Sequence, residues 1–330
     1  MKRKGLLLAG LLALSMVLAA CGNAAKSASA PKEIVIGYFP NINHVPAMVA
    51  KDKGFYEKRL GDGTKVVYKT FAEGGSFMTA LKTGDIDAGL VGPGPAMNNF
   101  TTGADVRIIA GASTGGTVVL ARKGSGIKTV NDISGKTFIT PGVGCTHDVQ
   151  YETYLKKEGI TSKRIGGTMN HLTGNPAQYA SMLQAGKIDI AVAPEPWAAV
   201  IEQQTGADVV INWDQIAFGK TLPASVLVTT EKKIKENPKV IEKIVAANKD
   251  AVDFINKNPE QAKEIAIKDI KKTTGQTLEK SVVDLAWKRI GFTSQVDEKA
   301  IQDFSDSSYE LKFLKEKPNF KNLIDKRFIQ

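Results

Sequence analysis

Two distant stretches of the chain repeat one pattern, and this repeat limits the possible fold more than any other feature. Ala80-Leu81-Lys82-Thr83-Gly84-Asp85-Ile86-Asp87-Ala88-Gly89-Leu90-Val91 lines up with Met182-Leu183-Gln184-Ala185-Gly186-Lys187-Ile188-Asp189-Ile190-Ala191-Val192-Ala193. Pro93 and Pro95 follow the first copy, Pro194 and Pro196 the second. Each copy reads as a helix end, a glycine cap, an Ile-Asp turn into a buried strand, and a proline loop at the strand's far end. A common supersecondary unit used twice would leave this trace. Two like domains presenting the same loop to one shared cleft would leave it too, and the surrounding sequence favours the second reading.

Around the first copy, short apolar strands alternate with helices. Ile34 to Tyr38, Val66 to Tyr68, Ile86 to Val91 and Val106 to Ala110 read as strands. Helical spacing from Asn43 to Lys53 closes at Gly54, and Gly74-Gly75-Ser76 opens a helix with Phe77, Ala80 and Leu81 on its apolar face. A second block follows: a strand over Lys136 to Thr140, a glycine turn over Pro141 to Cys145, and a helix from Thr146 to Lys157 before Gly159. Then come a strand from Gly167 to Asn170, a helix from Ala177 to Ala185, a strand from Ile188 to Val192, a helix from Glu195, and a strand from Asp208 to Ile211. Such alternation predicts an α/β protein with mostly parallel sheets covered by helices. Val118 to Ala121 and Ser225 to Val228 are similar apolar strands that bracket the second block, and they read as two crossings between domains. After Thr230 the chain is rich in Lys, Glu and Asn with helical periodicity. Val240, Ile241, Ile244, Val245, Ala251, Phe254 and Ile255 mark one long amphipathic helix that should pack back on the first domain.

The N-terminus addresses the compartment. Lys2, Arg3 and Lys4 precede an apolar run from Gly5 to Met16, and Leu18-Ala19-Ala20-Cys21 ends it. This is the layout of a secretory signal, with an apolar run short of the roughly 20 residues that span a bilayer. Its ending resembles a bacterial lipobox. By that resemblance residues 1–20 are removed, Cys21 becomes the N-terminus, and its sulfur carries a diacylglyceryl group on the outer side of the cytoplasmic membrane. Residues 21–32 read as a flexible tether. Residues 33–120 with 224–330 then form lobe 1, and residues 121–223 form lobe 2.

Composition excludes several functions. The formal net charge is +10, and loss of three cations and no anions with residues 1–20 lowers it to +7. The charges are scattered, without the arginine and aromatic clustering of a nucleic-acid site. Beyond Cys21 only Cys145 remains, so neither a disulfide framework nor a cysteine-rich metal site is expected. His44, His147 and His171 form no paired ligand motif. No nucleophile elbow or phosphate loop is present, and no cofactor is expected.

The ordered motifs resemble one family: the extracytoplasmic solute-binding proteins of ATP-driven importers in the nitrate, sulfonate and taurine group. They are Gly37-Tyr38-Phe39-Pro40, Lys53-Gly54-Phe55-Tyr56-Glu57, Leu81-x-x-Gly84-x-Ile86-Asp87, Asp132-Ile133-Ser134-Gly135-Lys136, Gly144-Cys145-Thr146-His147-Asp148-Val149 and Pro194-Glu195-Pro196-Trp197. The resemblance implies a type II periplasmic-binding fold, with two lobes joined by two connecting strands and a cleft that closes on the ligand. It looks most like the aliphatic-sulfonate binders. Taurine, nitrate or bicarbonate, and thiamine-type pyrimidine precursors are the alternatives. It also implies a monomer that works with a membrane permease and its ATPase subunits.

In parallel sheets ligands sit beyond the carboxyl ends of the strands. That rule selects Pro40 and Asn41, Gly75 and Ser76, Gly92 and Pro93, and Gly116 and Thr117 in the loop from Ser113. Ordinary βα turns use the same residues. Cys145, Thr146 and His147 open a helix after a glycine turn, where free amides and the helix dipole suit an anion. Asp148 there can simply cap the helix. His147 is either an oxyanion donor or a structural histidine, and Cys145 either a nucleophile or a small buried residue in a tight turn, the latter preferred. Trp197 either covers the apolar tail of an organosulfonate or is a core aromatic. Glu195 sets a condition: pointing inward, it demands a ligand with a cation, such as taurine; pointing outward, it leaves a plain alkanesulfonate open. The expected activity is binding without turnover, rather than an enzyme on the same fold.

Overall fold

The structure, a computed structural model, describes residues 31–317, 319, 320 and 322–329. The signal segment, Cys21 and nearly all of the tether lie outside these residues. Two sheets organise the chain. The first holds β1 (Glu33–Tyr38), β2 (Lys65–Thr70), β3 (Ala88–Val91), β4 (Arg107–Gly115), β10 (Pro223–Thr229) and β11 (Ile290–Phe292), in the order β11-β4-β10-β3-β1-β2. The second holds β5 (Thr117–Ala121), β6 (Thr137–Thr140), β7 (Asn170–Thr173), β8 (Ile190–Pro194) and β9 (Asp208–Ile211), in the order β7-β6-β8-β5-β9. This is the expected α/β class.

The sequence repeat has a structural counterpart. Without its edge strand β11, the first sheet runs β4-β10-β3-β1-β2 and the second runs β9-β5-β8-β6-β7. The strand senses match at every step: β1 pairs parallel with β2 and β3, as β6 does with β7 and β8. β10 pairs antiparallel with β3 and β4, as β5 does with β8 and β9. β3 and β8, the strands of the repeated motif, are buried along their whole length, as central strands covered on both faces must be.

Twelve helices among the described residues cover these sheets. Those after the strands of the first block are α1 (Val45–Lys53), α2 (Phe55–Leu60), α3 (Gly74–Thr83) and α4 (Pro93–Thr101). The second block carries α5 (Thr146–Lys157), α6 (Tyr179–Gln184) and α7 (Trp197–Thr205). The remainder are α8 (Glu231–Glu236), α9 (Pro238–Lys257), α10 (Pro259–Thr274), α11 (Lys280–Trp287) and α12 (Glu298–Glu310). The long amphipathic helix is α9, whose buried face includes Ile241, Ile244, Ala247, Ala251 and Ile255 at three- and four-residue spacing. It packs on α1, α2 and β4, so the tail returns to the first sheet as expected. Burying each isoleucine contributes about 1.5–3 kcal/mol. The tail reaches the second sheet's side too: α11 packs on α7 and α12 on α5. No helix of the described residues is long and apolar enough to cross a membrane.

Three differences from the expected boundaries bear on the layout of the two sheets. Ser113, Thr114 and Gly115 continue β4 instead of forming a loop, because they pair with Ile290 to Phe292 of β11, and the buried Ser113 hydroxyl also donates to Asn43 O at 2.9 Å. The strand Thr117–Ala121, placed in lobe 1 up to residue 120, pairs within the second sheet, so the first crossing falls at Gly116. The return crossing is the segment 212–222, between β9 and β10. The strand predicted from Gly167 begins at Asn170 instead, since Gly167 packs against Thr161 before β7 starts.

Candidate functional site

A cavity of about 430 Å3 opens between the carboxyl ends of the two sheets' strands. The helices that follow those strands bring their N-termini to it. Gly74 at the start of α3, Gly92 as N-cap of α4, Cys145 and Thr146 at the start of α5, and Trp197 at the start of α7 all line it. Each N-terminus carries about half a positive charge from its aligned peptides. Neither Lys nor Arg lines the cavity, and Glu73 is its one carboxylate among the described residues. The fixed positive field therefore comes from backbone dipoles.

Pro40, Asn41, Gly92, Cys145, Thr146, His147 and Trp197, selected from the sequence, line this cavity. Trp197 is 3% exposed and forms part of the wall. Thr146 Oγ1 accepts a hydrogen bond from Gly94 N at 3.2 Å, and Asn98 Nδ2 donates to Gly144 O at 2.9 Å. These bonds join the start of α4 to the start of α5 across the two sheets. Asp148 Oδ2 accepts from Gly144 N at 2.8 Å and so ties the first turn of α5 to the glycine turn before it.

Both cleft histidines are neutral at pH 7. Burial, then the neighbouring His147, lowers His44 to about 3, and burial lowers His147 to about 4. Burial, then the charge of Asp148, pushes the Cys145 thiol up to about 12. A protonated thiol is a poor nucleophile, so Cys145 here is a wall residue.

The remaining selected residues do not line the cavity. Gly75 and Ser76 open α3 as predicted, but Glu73 already occupies their amides, accepting from both at 2.6 Å. The Ser76 hydroxyl donates to Glu73 O, leaving no donor for a ligand. Pro93 is buried as the first residue of α4. Gly116 sits at the crossing with φ +78°, where an added Cβ would lie 2.6 Å from Asn43 Oδ1. Thr117 is buried and donates to Gln150 Oε1 at 2.7 Å. Glu195 is fully buried and points away, to Arg289 Nη1 at 2.8 Å and Ala199 N at 3.0 Å. Burial raises its carboxyl to about 7 against the opposing pull of Arg289. Of the two orientations left open for Glu195 the structure has the outward one, and the carboxylate that lines the cavity is that of Glu73.

The sequence reading missed Phe39, Asn43, His44, Phe71 and Glu73 of the first block, the segment Asn175 to Gln178 of the second, and Thr273, Thr274 and Gln276 after α10. Asn43 and His44 were absorbed into a helix that starts at Val45, behind a buried 3-10 turn. The pattern Asn41-x-Asn43-His44 directly after a strand was the available signal. Nothing near Gln276 marks it; it reaches the cleft because α10 ends there, and its side chain donates to Ala177 O at 3.1 Å.

Comparison with known proteins agrees with this architecture. The model of the NMT1-like family matches residues 27–268, well over half of the chain, and the chain belongs to that family. A Brucella abortus protein named only as a binding protein is 27% identical over 225 residues, covering 68% of this chain and 66%, just under two thirds, of that relative. A Bacillus subtilis protein named for binding aliphatic sulfonates is 26% identical over 339 residues, covering 99% of this chain and 96% of the relative. Among solved structures, the alkanesulfonate-binding protein SsuA of Xanthomonas axonopodis pv. citri, bound to MOPS, superposes with a TM-score of 0.76 at 20% identity, over 90% of this chain and 99% of that one. The periplasmic nitrate-binding protein NrtA of Synechocystis gives 0.71 at 16% identity, over 86% and 82%. These structures share the fold.

Proposed function

We propose that this NMT1-like protein is the solute-binding component of an ATP-driven importer. It captures a small organic anion, an aliphatic sulfonate first, outside the cytoplasmic membrane and delivers it to a permease and its ATPase. The observation that carries this reading is the convergence of the N-termini of α4, α5 and α7, beside the Glu73-capped start of α3, on one cavity lined by no Lys or Arg among the described residues. Such termini favour an anion through backbone amides and dipoles, and Phe39, Phe71 and Trp197 offer apolar wall for an alkyl tail. The volume of about 430 Å3 suits a small molecule. Relatives named for sulfonate binding support the same ligand class.

Glu73 favours a second reading within that class. Its carboxylate repels a plain anion and attracts an ammonium group, so a sulfonate that also carries an amine, such as taurine, gains where an alkanesulfonate loses. We read the molecule as two lobes that close by rotation about Gly116 and the segment 212–222, with Thr146, His147 and Asn41 at the ligand. In the cell it works as a monomer, anchored through lipid on Cys21, and it binds without turnover.

Thermal unfolding against a ligand panel tests the reading. A ligand at about 100 times its dissociation constant adds roughly 2.7 kcal/mol and raises the midpoint. Alkanesulfonates and taurine should raise it, whereas sulfate and neutral pyrimidines should not. A panel in which no sulfonate raises the midpoint overturns the ligand class.

A further inference from the structure

A second polar cluster lies behind the cleft, on the turn of α5 that follows the lining residues. Asp148 and Glu152 are one turn apart and both buried, and His171 comes from β7. One atom from each lies within 4.8 Å of the other two. The protein satisfies one oxygen of each carboxylate. Gly144 N donates to Asp148 Oδ2 at 2.8 Å. Ser162 Oγ and the Arg164 guanidinium each donate to Glu152 Oε2 at 2.9 Å. The other oxygens, Asp148 Oδ1 and Glu152 Oε1, are buried without a hydrogen-bond partner. His171 Nε2 stands 3.6 Å from Asp148 Oδ1 and 2.7 Å from the Thr140 hydroxyl, and its ring stacks on Phe138 with centroids 4.4 Å apart.

A buried carboxylate oxygen without a partner is costly, and it calls for something positive. Arg164 supplies one positive charge against two carboxylates, so the ionised cluster holds one negative charge in excess.

We infer that Asp148 Oδ1, Glu152 Oε1 and His171 Nε2 form a binding site for one divalent transition-metal ion, zinc first. Two carboxylate oxygens and an imidazole nitrogen are a zinc donor set. Bonds of about 2.1 Å in tetrahedral geometry place donor atoms about 3.4 Å apart, close to the 3.6 Å between His171 and Asp148. The Thr140 hydroxyl turns its hydrogen to Gly142 O, 3.2 Å away, when His171 Nε2 takes the ion. Gly144, Ser162 and Arg164 become the outer partners that orient the two carboxylates. The ion ties the first turns of α5, which carry Thr146 and His147 to the cleft, to β7 at the edge of the second sheet.

The test is calorimetric titration of the chelator-treated full chain with zinc chloride, without organic ligand, so its outcome is independent of the sulfonate reading. One ion per chain should bind at micromolar or lower dissociation constant. Asp148→Asn and Glu152→Gln should each weaken it at least tenfold, while Asp52→Asn at the surface leaves it unchanged. Should the variants fail to fold, the zinc anomalous signal in crystals of the unmodified protein decides; the peak is expected within bonding distance of Asp148 Oδ1. Absence of binding, unchanged binding in both variants, or a peak elsewhere overturns the site and leaves a shared proton on the carboxylate pair.

Discussion

Gly92→Ala isolates lobe closure from folding. Gly92 has φ −63° and ψ 148°, a conformation open to any residue, so the substitution strains no backbone. A Cβ there would lie 2.4 Å from Thr146 Oγ1 and 3.4 Å from Thr146 Cβ. Gly92 belongs to the first sheet's side and Thr146 to the second's. Reaching ordinary contact at ~3.5 Å requires the two sides to separate by about 1 Å at this point. Overpacking of this kind costs about 1–3 kcal/mol, which is roughly a 5- to 150-fold loss of affinity if the contact belongs to the closed, ligand-bound arrangement. The free protein can open and escape the overlap, and Ala restricts the unfolded chain slightly. The expected result is a dissociation constant for the best sulfonate raised at least fivefold by calorimetry, with an unchanged unfolding midpoint without ligand. Adding Thr146→Ala removes the obstructing hydroxyl and should restore part of the affinity. Unchanged affinity in Gly92→Ala, or a midpoint that falls equally with and without ligand, would refute the closure argument.

Glu73→Gln should strengthen binding of a plain alkanesulfonate and weaken that of taurine, since it removes the one carboxylate that lines the cavity among the described residues; equal effects on both by calorimetry would sink the charge argument. For Glu195, the folded pKa of about 7 lies above the ordinary 4.5. Its contribution to stability is fully present below pH 4.5 and is lost as the pH rises through 7. The loss amounts to about 3 kcal/mol. Urea unfolding across this range should show the decline, and Glu195→Gln should flatten it; an identical pH slope in the variant would contradict the assignment. Cys21→Ser should move the protein from the membrane fraction to the soluble one on cell fractionation, and retention in the membrane would argue against the lipid anchor.

Much of the fold was legible because each local signal agreed with its tertiary setting. Asp208 to Ile211 is a strand with the predicted limits, and the isoleucine spacing of α9 found the face that packs on α1 and α2. The site was legible to the extent that strand ends and helix starts define it. The rule selecting Gly75 and Ser76 located a helix N-terminus correctly, but could not tell that Glu73, two residues upstream, fills those amides with its own side chain. Capping by glutamate is uncommon beside Ser, Thr, Asp and Asn, so the sequence offered no reason to expect it. Glu195 and Arg289 are 94 residues apart, and the packing of α11 on α7 brings them together. Gln276 enters the cleft for the same reason: the tail's path over both sheets is a long-range property.

The repeated Ile-Asp motif shows why two copies serve one cleft. Asp87 N donates to Val35 O at 2.8 Å, while Asp87 Oδ2 accepts from Val35 N at 2.8 Å. In the second sheet Asp189 N donates to Thr137 O at 2.9 Å, and Asp189 Oδ2 accepts from Thr137 N at 3.1 Å. Each aspartate thus pins the start of its strand to the adjacent parallel strand. Each is also paired with a cation just after the antiparallel strand of its sheet: Lys233 after β10, Arg122 after β5. Fixing the register at the strand's start fixes where it ends, since each residue advances the strand by about 3.3 Å. At those ends stand Gly92 and Pro194, both lining the cavity. Because the antiparallel strand of each sheet adjoins a crossing, both sheets turn the same edge of their strands to the connections. A clamp far from the cleft, used once in each half, therefore sets the height at which α4 and α7 present their N-termini to a shared ligand.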